Sequence, residues 1–192
     1  MKKLIGLKKT KTAIFISGTG SNLKNLIKFS KKKKSPISID LIISNTQNAK
    51  GLKYSRKYNI QKKVISFKNN KLTEKKIFNF LQVKNIKFIC LAGFMKILSK
   101  NFIKKFKGKI INIHPSLLPK YKGLNTNKKA MKNKDKFAGC SVHFVTAKID
   151  SGKIIMQKKV KIKKGDTIAS LTKKILKKEH LLYPAAIKKI YN

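Results

Sequence analysis

Acidic residues are scarce in this chain: 6 Asp and Glu stand against 49 Lys and Arg, a formal net charge of +43 over 192 residues. Arginine is scarcer still, since Arg56 is the only one and nearly all the excess is lysine. Such an imbalance gives affinity for polyanions at low salt, whatever else the protein does. It does not by itself make a nucleic-acid reader, because those proteins mix arginine with lysine and interleave aromatics in a patch. Here the lysines are spread over the polar face of every expected helix. Lys, Asn and Ile are all abundant and share AT-rich codons, so compositional drift is the simpler source of the charge.

Cysteine is also scarce, at two residues, and long apolar runs are missing. Cys90 and Cys140 have no metal-ligand spacing and make no disulfide framework. Cys90 lies in I-C-L-A and reads as a core thiol. No stretch of about 18 apolar residues exists to span a bilayer. The basic start, M-K-K-L-I-G-L-K-K, lacks the continuous apolar segment of a signal peptide. A soluble cytoplasmic protein with no membrane partner and no specific nucleic-acid partner is therefore expected. Apolar residues still reach 41%, which argues against disorder. The length suits one domain over 1–192, with 1–11 as a basic, partly flexible start.

What is present is alternation. Short apolar runs at 13–17, 37–45, 63–67, 88–92 and 110–114 read as strands, and segments near 23–29, 49–59, 72–85 and 99–107 as helices between them. Ser99 suits the start of the last of these. The pattern is that of βαβ units, so an α/β fold is expected: a Rossmann-like domain with a mostly parallel sheet. In the final third, 140–146 and 153–162 alternate more openly around D-S-G and read as an antiparallel hairpin. A closing helix from about 166 to 189 follows, with Asp166 and Thr167 at its start.

Two places could carry chemistry. G-T-G-S-N at 18–22 joins a strand to a helix, where glycines permit close backbone approach and first-turn N–H groups favour an anion. A plain tight turn is the competing reading. In K-I-I-N-I-H-P at 109–115, Asn112 and His114 are two apart and share one face of a strand that Pro115 ends. In a parallel sheet that end faces the binding crevice, and an amide beside an imidazolium can stabilise a developing oxyanion. A histidine satisfied by backbone in a buried turn is the alternative. His143 reads as structural, Asp150 as a turn carboxylate, and Glu179–His180 as surface residues. An acid near His114 would raise its pKa.

Four motifs, I-S-G-T-G-S-N-L (16–23), L-A-G-F-M-K-I-L-S (91–99), I-N-I-H-P-S-L-L-P (111–119) and S-V-H-F-V-T-A-K-I-D-S-G (141–152), resemble those of the phosphoribosylglycinamide formyltransferases, in that family's order. The resemblance implies formyl transfer from 10-formyltetrahydrofolate, as cosubstrate, to the glycinamide amine, a step of purine synthesis that needs no metal. It implies Asn112, His114 and Asp150 as the catalytic set. It implies Gly20, Ser21, Asn22 and Glu179 on the glycinamide substrate. It places Met95, Lys96, Ile97, Leu98, Asn112, Ala147, Lys148, Ile149 and Asp150 on the folate. Small-molecule substrates and a monomer or weak homodimer follow.

Some positions depart from the family pattern. Asn127 stands where a histidine is common, Lys96 where arginine is usual, and Leu176 where a polar residue is general. The segment around Lys68 and Lys71 lacks an arginine directed at the folate tail. Within the superfamily, methionyl-tRNA formyltransferases need a further C-terminal domain and formyltetrahydrofolate hydrolases an N-terminal one, and the chain is expected to have room for neither. A basic nucleic-acid-binding protein is the alternative from another class.

Overall fold

The computed structural model describes residues 8–192, and one seven-stranded sheet carries its described strands in the order β3-β2-β1-β4-β5-β6-β7. The strands are β1 (Thr10–Ile16), β2 (Ile37–Ser44), β3 (Gln61–Val64), β4 (Phe88–Leu91), β5 (Lys109–His114), β6 (Phe137–Phe144) and β7 (Ile154–Lys161). β1 to β5 pair in parallel, and β6 and β7 are antiparallel. The α/β class, the mostly parallel sheet and the C-terminal hairpin are as expected. The order reverses between β1 and β4, so the crevice opens at the carboxyl ends of β1, β4 and β5.

The helices are α1 (Ser21–Ser30), α2 (Lys53–Tyr58, entered through a 3₁₀ turn at Lys50–Leu52), α3 (Asn70–Val83), α4 (Lys100–Lys105), α5 (Thr126–Lys132) and α6 (Ile168–Tyr191). No helix among the described residues is long and apolar enough to cross a membrane. α5 was not expected. Its sequence T-N-K-K-A-M-K buries only Thr126 and Ala130, too little for a helical period to show. β1 begins at Thr10, so Thr10 and Lys11 belong to the sheet rather than to a flexible start, and residues 1–7 lie outside the described residues. β3 begins two residues before the expected 63–67 run; at the sheet's edge it pairs with Leu41–Ser44 alone.

Strand periodicity divides the core in two. Ile14, Ile16, Ile42, Cys90, Ile111 and Ile113 pack toward α1 and α6, whereas Phe15, Ile43, Ile89 and Ile110 pack toward α3 and α4. Burial drives the Cys90 thiol far above its ordinary pKa and the Cys140 thiol up to about 12, consistent with inert core thiols. Ser99 caps α4 by accepting from Phe102 N, and Thr167 caps α6 through a reciprocal pair with Ser170. Asp166 adds to the latter start, accepting from Lys163 N and from the Lys174 ammonium.

α6 runs 24 residues through Pro184. Proline has no N–H, so the carbonyl four residues earlier, that of His180, loses its helical donor. Asn25 of α1 supplies the replacement, its Nδ2 donating to His180 O at 2.6 Å. Deeper in the sheet, the fully buried Tyr183 hydroxyl donates to the carbonyls of Leu91 (2.9 Å) and Ile111 (3.2 Å), fastening α6 over β4 and β5.

Candidate active site

β5 delivers Asn112 and His114 to one cleft of about 570 Å³ at the carboxyl ends of the strands. Both side chains share the face of Ile110, one period of two apart, as the spacing predicts. The strand ends at His114, and the chain then folds back so that the Tyr121 carbonyl accepts from His114 Nε2 at 2.9 Å. A carbonyl only accepts, so Nε2 carries a proton and Nδ1 is the nitrogen left for chemistry. Nδ1 lies 3.4 Å from Asp150 Oδ2. Burial lowers the pKa of His114, while the Tyr121 carbonyl and the Asp150 charge oppose that fall.

Asp150 arrives from the loop between β6 and β7 with a left-handed φ of 45°. Its Oδ2 accepts from Gly123 N at 2.8 Å, which ties the loop to the segment after β5. Burial works to raise the Asp150 pKa, but the His143 ring, the Gly123 N–H and His114 outweigh it and hold the carboxyl below its usual range. Tyr121, Gly123, Asn125 and Asp150 all have positive φ, so the segments that meet here are bent where most residues resist bending.

His143 belongs to this group, contrary to its reading as a structural residue. In the β5–β6 register it stands opposite Asn112. Its Nδ1 donates to Phe144 O at 2.8 Å, and its Nε2 lies 3.2 Å from Asn112 Nδ2. Asp150 Oδ1 is 3.4 Å from the same Nε2 and 3.5 Å from Asn112 Nδ2. The amide nitrogen of Asn112 is thereby turned toward Asp150. Sequence alternation showed His143 among apolar neighbours; only the antiparallel register reveals what it faces.

The loop after β4 forms the opposite wall. Met95, Lys96, Ile97 and Leu98 line the cleft, as do Ala147, Lys148, Ile149 and Asp150. Met95 and Ile97 are 62% and 61% exposed, so apolar surface stands open at the mouth. The loop is held at both ends. Ser17 Oγ accepts from Met95 N (2.8 Å), and the buried Glu74 carboxylate accepts from Ser99 N (2.6 Å) and Ser99 Oγ (2.5 Å).

α1 and α6 close the far end. Asn22 and Glu179 line the cleft, and Asn22 Nδ2 donates to Glu179 Oε2 at 2.7 Å. Glu179 is only 7% exposed, so its default surface reading is wrong; burial raises its pKa and the Asn22 bond partly offsets that. Asn22 Oδ1 is buried without a hydrogen-bond partner, an acceptor left unsatisfied beside the cleft that Asn22 lines. Ser21 Oγ sits 3.0 Å from His180 Nε2.

Gly20 and Ser21 do not line the cleft themselves. Gly20 precedes α1 with a φ of 73°, and a Cβ on it would stand 2.6 Å from Gly51 Cα. Two backbones touch there, which only glycine allows. No side chain caps α1, so its first-turn N–H groups stay available beside Asn22. Among the departures, Asn127 donates to Thr172 Oγ1 (2.9 Å), joining α5 to α6, Leu176 is half-buried, and Lys68 and Lys71 are exposed outside the cleft.

Comparison with known proteins accords with this geometry. A family model described as formyl transferase matches residues 10–187. The phosphoribosylglycinamide formyltransferase of Haemophilus influenzae is 40% identical over 93% of this chain and 85% of its own length. The trifunctional purine biosynthetic protein adenosine-3 of Homo sapiens is 42% identical over 94% of the chain, which spans only 18% of that larger protein. The crystal structure of phosphoribosylglycinamide formyltransferase from Brucella melitensis superposes with a TM-score of 0.90 at 40% identity, covering 95% of this chain and 96% of that one.

Proposed function

The chain belongs to the formyl transferase family, and from that membership we propose that it moves a formyl group from 10-formyltetrahydrofolate to the amine of phosphoribosylglycinamide. One observation carries the reading. In a chain with 6 acids, one of them, Asp150, comes within 3.4 Å of His114 and 3.5 Å of Asn112, on the wall of a cleft whose other walls are the expected folate and glycinamide segments.

The substrate amine attacks the formyl carbon, and negative charge develops on the former carbonyl oxygen. Asn112 Nδ2–H donates to that oxygen. His114 carries one fixed proton on Nε2, so its neutral Nδ1 can only accept; a second donor to the oxyanion exists once Nδ1 is protonated. Asp150 stabilises that imidazolium and assists passage of the amine's proton to the leaving folate nitrogen. The new carbon–nitrogen bond replaces the old one and one proton is relocated, so no oxidant, metal or further reactant enters.

Binding follows from the same walls. The uncapped start of α1 at Gly20, Ser21 and Asn22 takes the substrate phosphate, and Glu179 with Asn22 Oδ1 accepts from its hydroxyls. Met95–Leu98 and Ala147–Asp150 take the flat pterin of the donor, the exposed Met95 and Ile97 supplying apolar area. We assign the protein to the cytoplasm, as a monomer or weak homodimer. The test is turnover of purified protein with both substrates, read by folate absorbance. Turnover that His114→Ala abolishes supports the assignment; an inactive intact protein overturns it.

A further inference from the structure

Three contacts join α1 to α6 along one seam. Ser21 Oγ meets His180 Nε2 (3.0 Å), Asn22 Nδ2 donates to Glu179 Oε2 (2.7 Å), and Asn25 Nδ2 donates to His180 O (2.6 Å). Asn25 lies one turn beyond both Ser21 and Asn22, at i+4 and i+3 from them. The second contact bears on the cleft, which Asn22 and Glu179 line. The third touches no part of it, since neither Asn25 nor the His180 carbonyl lines the cleft.

The third contact exists because of Pro184. At any other residue, the N–H of position 184 would satisfy the carbonyl of position 180 within the helix. Proline withholds it, and the carbonyl turns to α1 for its donor. A helix that met its own needs at this point would be tied to α1 by the two side-chain contacts alone. Leaving the carbonyl short instead makes the seam obligatory at the turn that carries Glu179 and His180.

We propose that Asn25 and Pro184 together act as a positioning pair for the glycinamide-substrate end of the site. The proline vacates the His180 carbonyl and Asn25 claims it. This sets the depth and rotation of α6 at Glu179 against the phosphate-facing start of α1. The pair touches no substrate, and the assignment rests on the functional reading above.

A double-mutant cycle tests it on the full chain. Asn25→Ala leaves the His180 carbonyl without a donor, and the KM for phosphoribosylglycinamide rises about tenfold, equivalent to the loss of one hydrogen bond to a poorly solvated group. The KM for 10-formyltetrahydrofolate moves less than about twofold, because that wall is built from other elements. In Asn25→Ala combined with Pro184→Ala, the restored N–H of position 184 satisfies the carbonyl and the KM returns toward the starting value. Amide exchange at 179–182 follows the same cycle without substrate: faster in the single variant, restored in the double.

A lower melting temperature for Asn25→Ala with both KM values unchanged overturns the proposal, since the contact is then structural only. A KM rise from Asn25→Ala that is equal with and without the Pro184→Ala substitution overturns the link to the proline. If the unsubstituted protein fails to turn over its substrates, the functional reading falls with this use of the seam. The exchange cycle then still decides whether the two residues are coupled.

Discussion

Asn112→Asp is nearly isosteric and replaces the proposed oxyanion donor with an acceptor. In the native arrangement Nδ2 lies 3.5 Å from Asp150 Oδ1 and 3.2 Å from His143 Nε2. An ionised Asp at that position sets two like charges about 3.5 Å apart, a repulsion of roughly 5 kcal/mol at an effective dielectric of 20 and about 1 kcal/mol in bulk water. The new carboxyl therefore takes up a proton more readily than an ordinary one. Loss of the donor alone removes about 10²–10³ in kcat, the deficit expected for Asn112→Ala. Asn112→Asp falls further while ionised, because its negative oxygen faces the developing oxyanion. As pH falls, the protonated carboxyl gains an O–H to donate, so the deficit relative to the native enzyme shrinks. Steady-state kcat ratios for both variants between about pH 5 and 8 measure this. An Asn112→Ala variant within tenfold of the native kcat refutes the donor role. A pH-independent deficit for Asn112→Asp refutes the proposed crowding with Asp150.

Further outcomes are specific. Asp150→Asn removes the negative charge 3.4 Å from His114 Nδ1, the imidazolium loses its partner, and the limb of the pH–rate profile that His114 controls moves to lower pH; an unmoved limb breaks the proposed coupling. Glu74→Gln loses one of the two acceptors that hold Ser99, which frees the end of the Met95–Leu98 loop and raises the KM for the formyl donor more than that for the amine substrate; equal changes in both would argue for general loosening. Tyr183→Phe leaves the Leu91 and Ile111 carbonyls short of a buried donor and costs about 1–3 kcal/mol, read as a lower denaturant midpoint with unchanged slope; a retained midpoint contradicts the fastening of α6. The Asp166 carboxyl is held down at about 2 by Lys174, the Lys163 N–H and Ser170. Its folded pKa is depressed, so its stabilisation is present above about pH 4 and lost as pH falls through 2. Asp166→Asn should flatten that acid limb in chemical denaturation, and an unchanged limb removes Asp166 as its source.

Much of this molecule is written locally. Period-two apolar runs mark the strands, 3.6-residue spacing marks most helices, and Ser99 and Thr167 announce two helix starts, because each depends on neighbours a few residues away. The same local rule puts Asn112 and His114 on one face and makes Pro115 the end of their strand. α5 escaped it, since a helix that buries Thr126 and Ala130 leaves almost no apolar trace.

Local spacing could not show what the two side chains would meet. His143 becomes the partner of Asn112 only through the antiparallel register of β5 and β6, and Asp150 reaches His114 only because Gly123 N holds its loop. Glu74, in sequence one more acid within a helical segment, holds the end of a loop 25 residues away. Pro184, which in sequence only threatens a helix, frees a carbonyl that Asn25 claims from 155 residues earlier. The order of elements follows from short-range sterics and periodicity. The site depends on hydrogen-bond partners that are chosen only when the sheet closes and α6 docks.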